Sequence, residues 1–362
     1  MKEGWEYKKF EAALEKVKYT KKLQTNEFLP KGRVPVISQE EEFISGYWDK
    51  VEDAFIVKTP VVVFGDHSRV LKYIDFDFVL GADGVKILMP INSLNAKFLY
   101  HYLKWYNIPN MGYSRHYKFL KEINLPIPPI LEQQRIVEQL DLLSGIIEKQ
   151  KAQLAELDKL AQSIFYDMFG DPVTNEKGWE TKELSSVAPQ KGFEGKVPDK
   201  GGKYWILNLD MIKAQTGDII EKCYFTKDEI GNSTIIFDNK NVLYSKLRPY
   251  LNKVVIPQSA GFGTSELIPL KPLENVMNRC FLAYLLRSKQ FVSFINIKVQ
   301  GAKMPRVSMN VLREFPTILP PLSLQQEFAE KIEAIEAMKA KVRQSLKEAE
   351  TLFNSRMDYY FQ

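Results

Sequence analysis

The chain has 362 residues, of which 45% are hydrophobic and 26% charged, the composition of a globular protein long enough for two domains. No apolar run approaches the roughly 20 residues needed to cross a bilayer, and the polar first ten residues lack the pattern of a signal peptide. Two cysteines without CxxC spacing and only three histidines argue against a zinc site and favour a reducing, cytoplasmic location away from membranes.

The first 127 residues are predicted to form a mixed α and β domain. Short β-rich runs, separated by turns containing glycine and aspartate, occur at 55–57, 61–64, 76–80 and 85–89. A helix is expected from Ala96 to Tyr106. Two loops, Gly65–Arg69 and Gly112–Lys118, mix cations with short hydrogen-bond donors, which suits contacts with base edges or phosphate groups.

The most informative feature is a Pro-Pro motif that the chain repeats. The segment Pro128-Pro129-Ile130-Leu131-Glu132-Gln133-Gln134-Arg135-Ile136 returns as Pro320-Pro321-Leu322-Ser323-Leu324-Gln325-Gln326-Glu327-Phe328, always 192 residues later. Because proline cannot continue a helix from upstream, each copy marks the start of a long helix. Gly170-Asp171-Pro172 is expected to end the first of them.

After the first motif, apolar residues alternate at spacings of four and three, which is typical of a coiled-coil seam. Nine of the ten seam positions are apolar: Ile136, Leu140, Leu143, Ile147, Gln150, Leu154, Leu157, Ala161, Ile164 and Met168. The same positions 192 residues later form a second seam that is interrupted by Lys339 and Arg356. The adjacent Met338 and Met357 are candidates to take their places.

The chain enters residues 171–319 from the end of the first helix and leaves them at the start of the second. If this segment is compact, those two helix ends lie together, so the helices are expected to run antiparallel. The stretch from Ile136 to Met168 would measure roughly 50 Å at about 1.5 Å per residue. That length exceeds one turn of DNA, about 34–36 Å, so the helix pair is interpreted as a spacer of fixed length.

Residues 171–319 repeat the order of elements of the first domain with almost no identity. The β-rich runs lie at 235–237, 241–244, 253–256 and 267–270, and one helix is expected from Asn278 to Phe294. The loops Tyr244–Tyr250 and Gln300–Ser308 correspond to the two loops of the first domain. Two similar frames with different surfaces are predicted to read two different half-sites.

Charge is distributed unevenly along the chain. The net charge of the chain is +5, with −3 over residues 131–170 and −1 over 322–362. The rest of the chain therefore carries +9. This basic excess is expected where the protein faces phosphate, and arginine can donate two hydrogen bonds to guanine. The predicted DNA-binding residues are Ser68, Arg69, Lys72, Tyr113, Arg115, His116, Lys118, Lys246, Arg248, Lys253, Lys303, Arg306 and Ser308.

The sequence lacks the motifs of enzymes that act on DNA. It contains neither an Asn-Pro-Pro-aromatic or Asp-Pro-Pro-Tyr methyltransferase motif nor a glycine-rich loop for S-adenosylmethionine or for a nucleotide phosphate. Pro198-Asp199 is not followed by the Glu-x-Lys of a nuclease, and no catalytic triad is recognisable. Catalytic, cofactor-binding and metal-binding residues are therefore not expected in this chain.

With its repeated motif and the heptads that follow, the chain resembles, over essentially its whole length, the specificity (S) subunit of type I restriction-modification enzymes. The resemblance implies an α+β protein with a circular, pseudo-two-fold arrangement. Target recognition domains would occupy 1–127 and 171–319, and repeats with antiparallel coiled-coil spacer helices would occupy 128–170 and 320–362. It also implies a non-catalytic subunit that reads a bipartite, asymmetric site in double-stranded DNA.

The same resemblance implies partner subunits and places the cofactors on them. Two methyltransferase (M) subunits would dock on the helices, and restriction (R) subunits would join through the complex. S-adenosylmethionine, ATP and Mg²⁺ would be bound by these partners. The second copy of the motif departs from the family pattern at Leu324 and Glu327, so the two helices are expected to contact their partners unequally.

Two other interpretations are consistent with parts of the sequence. One is a single-chain DNA-modifying enzyme, a nuclease or methyltransferase with divergent motifs, which would act on DNA without partners. The other is a coiled-coil scaffold that binds proteins, whose binding would lack the steep salt dependence of phosphate contacts.

Overall fold

The computed structural model describes residues 4–82, 84–112, 114–231, 234–299 and 304–362. The chain forms two compact units, one of residues 1–150 with 344–362 and the other of residues 151–343. Two helices of 40 residues each start at the two Pro-Pro motifs, as predicted. Each long helix contributes one half to each unit, because the division falls after Gln150 in the first and after Arg343 in the second.

The first unit combines three small sheets with helices. Its elements are β1 (Glu6–Lys9), β2 (Lys22–Leu23), β3 (Val34–Ile37), β4 (Gly46–Trp48), β5 (Val61–Gly65), β6 (Leu71–Ile74), β7 (Val79–Gly81), β8 (Val85–Leu88), α1 (Ala96–Tyr106), α2 (Tyr117–Lys121), β9 (Asn124–Ile127) and the first half of α3 (Ile130–Phe169). The strands pair in the orders β2-β7-β3-β4, β6-β5-β8 and β1-β9. The continuous apolar run Val61–Phe64 makes β5 a fully buried central strand.

The second unit has the same kinds of element. They are β10 (Glu180–Glu183), α4 (Leu184–Val187), β11 (Lys203–Leu207), β12 (Cys223–Thr226), β13 (Thr234–Phe237), β14 (Val242–Ser245), β15 (Val254–Val255), β16 (Gly261–Thr264), β17 (Leu267–Leu270), α5 (Arg279–Arg287), α6 (Lys289–Ile297), α7 (Met309–Arg313), β18 (Pro316–Leu319) and α8 (Leu322–Phe361), the last half of which belongs to the first unit. The strands pair in the orders β12-β11-β16-β13, β15-β14-β17 and β10-β18.

Strand pairing shows that the two units share one frame. β14 lies between β15 and β17 as β5 lies between β6 and β8, always antiparallel. β11 pairs antiparallel with β12 and parallel with β16, as β3 does with β4 and β7. The fourth strand of this sheet differs, since β2 is parallel to β7 whereas β13 is antiparallel to β16. The predicted repetition of element order is therefore correct except at this sheet edge.

Two of the secondary-structure predictions made from the sequence are wrong. Residues 55–57 do not form a strand, because only Phe55 makes an isolated bridge, to Phe78. The helix expected from Asn278 to Phe294 is divided into α5 and α6 by Ser288, whose backbone is extended (ψ 143°). The Ser288 hydroxyl accepts a hydrogen bond from the Phe291 N–H, so this residue caps the second helix while ending the first.

The apolar seam predicted for α3 faces inward, with three of its ten positions buried and seven half-buried. None of the ten seam positions of α3 is exposed. In the first unit, the Tyr360 hydroxyl donates to Gln139 Oε1, and Gln150 Nε2 donates to Ser345 Oγ at 2.6 Å. Residue numbers rise along α3 as they fall along α8, so the two helices are antiparallel, as expected.

The two interruptions of the second seam are resolved in different ways. Met357 takes the place of Arg356, since Met357 is 5% exposed and Arg356 points to solvent. Lys339, by contrast, keeps its seam position and is 3% exposed, whereas Met338 is 45% exposed. The expected replacement of Arg356 is thus confirmed, and the expected replacement of Lys339 is wrong.

A pair of carboxylates makes the buried position of Lys339 possible. The Nζ atom lies 2.7 Å from Asp158 Oδ1 on α3 and 2.7 Å from Glu336 Oε1 on α8. Burial alone would lower the pKa of Lys339, but the hydrogen bonds to Asp158 and Glu336 raise it overall. The lysine is therefore held in its charged form inside the second unit.

The first glutamine of the repeated motif fixes the start of α1. Gln133 is fully buried, and its Oε1 accepts from the Asn95 N–H at 2.7 Å. Its Nε2 donates to the carbonyls of Ser93 and Pro128 at 2.8 and 2.7 Å. The Asn95 side chain in turn caps α1.

The second copy repeats this arrangement at α5. Gln325 is also fully buried and accepts from the Asn278 N–H at 2.8 Å, while its Nε2 donates to the carbonyls of Val276 and Pro320. Removing either amide would leave buried backbone groups unpaired, at a cost of about 1–3 kcal/mol each. The repeated motif is thus a clamp between a globular frame and the start of a long helix.

The C-terminal end of each long helix packs into the core of one unit. In the first unit, the Phe361 ring of α8 lies 5.4 Å from Phe98 on α1. In the second unit, the Phe169 ring of α3 lies 4.7 Å from Phe281 on α5 and 5.4 Å from Phe328. Phe169 and Phe361 are equivalent in the 192-residue repeat, so the same contact anchors both helix ends.

Candidate nucleic-acid interface

The two predicted loops of the first unit lie against each other. Asp66 joins them, because its carbonyl accepts from the His116 N–H at 2.8 Å and its Oδ1 accepts from the Tyr117 N–H at 2.7 Å. The Ser68 hydroxyl donates to the Gln39 carbonyl at 2.5 Å. We call residues 65–69 and 114–118 the first loop pair.

Two cations of the first loop pair are exposed. Arg115 points to solvent just before α2, and Lys118 points to solvent from the first turn of α2. Arg69 is only half-buried, has a left-handed backbone (φ 65°), and donates through Nη1 to the Ile108 carbonyl at 2.9 Å. Arg69 therefore shapes the loop, whereas Arg115 and Lys118 are available to a ligand.

Two lysines chosen from the sequence do not fit a DNA contact. Lys72 is 3% exposed, and its Nζ donates to the carbonyls of Ser38 and Glu42. Lys253 is half-buried and donates to the Leu209 carbonyl at 2.6 Å. Burial lowers the pKa of both amines. Both amines are engaged by backbone carbonyls, so we correct both predictions.

His116 does not fit a DNA contact either. It is fully buried, its Nδ1–H donates to the Asp66 carbonyl at 3.0 Å, and its Nε2 accepts from the Met111 N–H at 3.3 Å. Both ring nitrogens are occupied by backbone groups. The histidine is a structural link within the first loop pair, which corrects the prediction.

The corresponding loops of the second unit are joined in the same way. The Lys246 carbonyl accepts from the Val307 N–H at 2.9 Å, and the Pro305 carbonyl accepts from the Arg248 N–H at 2.8 Å. Here residues 245–250 come at the end of β14 and residues 304–308 lead into α7, as residues 65–69 come at the end of β5 and residues 114–118 lead into α2. We call residues 245–250 and 304–308 the second loop pair.

The second loop pair also carries three cations, two of which lie near the carboxylate of Glu266. Arg248 is exposed with a left-handed backbone (φ 48°). Arg306 Nη2 lies 3.0 Å from Glu266 Oε1, and this hydrogen bond raises the pKa of Arg306. Lys246 Nζ lies 4.0 Å from the same carboxylate. Ser308 is half-buried at the start of α7.

The remaining two predicted contacts, Tyr113 and Lys303, lie outside the described residues. Sequence reasoning also missed two residues that shape the loops, Gln39 and Glu266. Gln39 accepts from the His67 N–H in the first unit, and Glu266 holds Arg306 in the second. Glu266 reaches its loop because β17 pairs with β14, for example Leu267 with Ser245, and Gln39 lies 28 residues from His67, so no local motif could have revealed either residue.

The described residues do not assemble a recognisable catalytic centre. No group of three His, Cys, Asp or Glu side chains among them could hold a metal ion. Burial raises the pKa of the Cys280 thiol to about 12, which keeps it protonated and unreactive. Within the same part of the chain, no helix is both long and apolar enough to span a membrane.

A duplicated α and β frame that presents two different basic loop pairs is an arrangement expected of a protein that recognises DNA. The family model of the type I restriction modification DNA specificity domain matches residues 2–159 and 176–350. The chain therefore belongs to this family, as the repeated motif indicates, and is a non-catalytic DNA specificity subunit.

Curated proteins similar to this chain are specificity subunits. The subunit of the type I restriction enzyme EcoR124I/EcoR124II from Escherichia coli is 21% identical over 354 residues, which cover 90% of the chain and 85% of that protein. The EcoDI subunit of Escherichia coli is 22% identical, covering 60% of the chain and 55% of its relative. The MjaIX subunit of Methanocaldococcus jannaschii is 24% identical, covering 58% and 53%. The chain thus spans about half the length of the last two.

Solved structures show the same fold. The S subunit of a type I restriction-modification system from M. genitalium superposes with a TM-score of 0.61 at 15% identity, over 98% of this chain and 95% of that one. A chain from a structure on the complex assembly and conformational transition of the type I restriction-modification system gives 0.51 at 15% identity, over 100% and 98%.

Proposed function

We propose that the chain reads a bipartite, asymmetric site in double-stranded DNA at a fixed gap. Residues 1–127 and 171–319 are the two recognition domains, and the repeats 128–170 and 320–362 are the spacer. Two methyltransferase subunits dock on the spacer helices, and restriction subunits join through them. S-adenosylmethionine, ATP and Mg²⁺ are bound by those partners.

The observation that carries this proposal is the pair of loop clusters on one repeated frame. In both units, a loop at the end of the central strand meets a loop that leads into a short helix. The side chains on these loops differ between the two units. The first presents Arg115 and Lys118, while the second presents Arg248 together with Lys246 and Arg306, which lie near Glu266. Different donor and acceptor patterns suit different base-pair edges in the major groove, so equal frames with unequal loops favour an asymmetric target.

A binding selection tests the proposal. The full chain is purified with its methyltransferase subunit and incubated with a randomised duplex DNA library, and bound duplexes are sequenced. We expect two conserved blocks of sequence separated by a constant gap of unspecified bases. Enrichment of one continuous block, or of none, would overturn the proposal.

Matched variants assign the blocks to the domains. R115A/K118A should change selection in one block only, and R248A should change it in the other. A residue that contacts phosphate would instead weaken binding to every duplex alike, and its removal would lower the slope of affinity against salt by about one. Equal changes in both blocks would contradict the division of labour between the two loop pairs.

A further inference from the structure

Residues 213–218 of the second unit, here called the brace loop, hold the segment that follows Arg248. The Gln215 N–H donates to the Leu251 carbonyl at 2.9 Å, and Gln215 Nε2 donates to the Tyr250 carbonyl at 3.0 Å. The Leu251 N–H in turn donates to the Arg248 carbonyl at 2.9 Å. The placement of Gln215 therefore sets the placement of the backbone that carries the exposed guanidinium.

The other end of the brace loop is fixed to α8. Asp218 Oδ2 accepts from Arg343 Nη2 at 3.0 Å. Arg343 Nη1 lies 3.7 Å from Glu336 Oε2, and Glu336 also holds the buried Lys339. Burial alone would raise the pKa of Asp218, but Lys339 and Arg343 lower it overall, so the carboxylate stays charged.

Backbone geometry makes the brace loop stiff. The Gly217 N–H donates to the Lys213 carbonyl, and the Lys213 N–H donates to the Asp218 carbonyl, which closes the loop on itself. A Cβ at Gly217 (φ 70°) would lie 1.8 Å from the Val254 carbonyl oxygen. Gln215 also has a left-handed backbone (φ 68°), a strain that persists only where the surroundings fix it.

We propose that the brace loop transfers the position of α8 to Arg248, which makes Asp218 and Arg343 positioning residues for base reading by the second domain. This inference rests on the proposed function and adds a coupling between spacer and reader. In the first unit the spacer is attached through a different contact, since Asp141 of α3 pairs with Lys97 and His101 of α1. Reading by the first loop pair should therefore not depend on the brace loop.

The test measures discrimination, which is the ratio of Kd for a duplex with one changed base pair to Kd for the selected duplex. The full chain with its methyltransferase subunit is compared with D218N, R343Q and the double variant. Each single variant should lose about tenfold in discrimination at the second half-site, the size of one good base contact. The double variant should lose no more than either single one, because both changes break one link. Discrimination at the first half-site should stay within about twofold of wild type.

Two further variants separate positioning from stability. E274Q breaks an exposed ion pair with Lys240 in the second unit (2.7 Å), away from the loop pairs and the long helices, and should leave discrimination unchanged. G217A keeps both ionic groups but displaces the brace loop, so it should reproduce the loss seen in D218N. Unchanged discrimination in D218N and R343Q, or an equal loss at both half-sites, would overturn the proposed role of the brace loop. A wild-type chain that selects no bipartite site would instead contradict the proposed function, and the brace with it.

Discussion

Arg248 joins two properties that rarely occur together, an exposed guanidinium and a left-handed backbone (φ 48°). Its N–H is tied to the Pro305 carbonyl, so the conformation is held by the neighbouring loop. Positions with such local strain cluster where a side chain must be aimed at a partner. Substitution of Arg248 is therefore the most direct single test of base reading in the second unit.

A lysine at this position should distinguish a base contact from a phosphate contact. R248K keeps the charge and the backbone but loses the planar fork that can donate two hydrogen bonds to guanine. If Arg248 reads a base, R248K and R248A should both lose about 1–3 kcal/mol of discrimination at one base pair. Binding assays on duplexes with single base changes measure this. Full rescue by R248K, with a uniform loss in R248A, would instead mark a phosphate contact.

Among the structural elements, α3 and α8 carry the clearest asymmetry. Lys339 sits in the seam of α8, whereas the equivalent position in α3 is Ile147. A seam of this kind can therefore form with an apolar residue at this position, without the ion pair between Lys339 and Asp158. A buried ion pair often stabilises a protein no more than apolar packing would, but losing one partner is costly.

The variant K339I should lower the free energy of unfolding by about 1–3 kcal/mol. The loss is smaller than for a fully buried pair, since the side chains of Asp158 and Glu336 are 30% and 42% exposed and water can reach them. D158L/K339I removes the lysine and its partner on α3, while Glu336 keeps Arg343 as a neighbour at 3.7 Å, so the double variant should recover most of that loss. Urea unfolding measures the midpoints. An unchanged midpoint in K339I would show that the pair contributes nothing to stability.

Elements specified by local pattern could be predicted, and those specified by distant contacts could not. The long helices and α1 could be predicted because their signals, which are prolines, heptad spacing and turn residues, lie within or next to each helix. The break at Ser288 comes from its own side chain, which caps α6, but both flanking sequences favour helix and hid that signal. In the candidate site, exposure of Arg115 and Arg248 was predictable from loop composition. The burial of Lys72 and His116 depends on carbonyls contributed by loops 30 to 50 residues away.

For the whole molecule, charge and repeat have separate roles. The long helices carry a net −4 in total, and the two recognition segments carry the basic excess. Phosphate attraction should therefore act on the loop pairs and leave the helices free for protein partners. The 192-residue repeat makes the frame symmetric, whereas the side chains on that frame are not.

A matched insertion into both helices tests the spacer at this scale. Seven residues added after Gln150 and again after Arg343 keep the heptad seam in step and lengthen the pair by about 10 Å. At about 3.4 Å per base pair, the gap between the half-sites should grow by about three base pairs, while the half-sites stay the same. Affinity should fall, because about three base pairs also rotate the second half-site by roughly 100° around the DNA axis, and the duplex must twist to compensate. Selection from a randomised library measures both effects.

As a control, the same seven residues placed at the exposed turn 200–202 should leave the gap unaltered. A constant gap in the helix variant would show that some other part of the complex sets the distance.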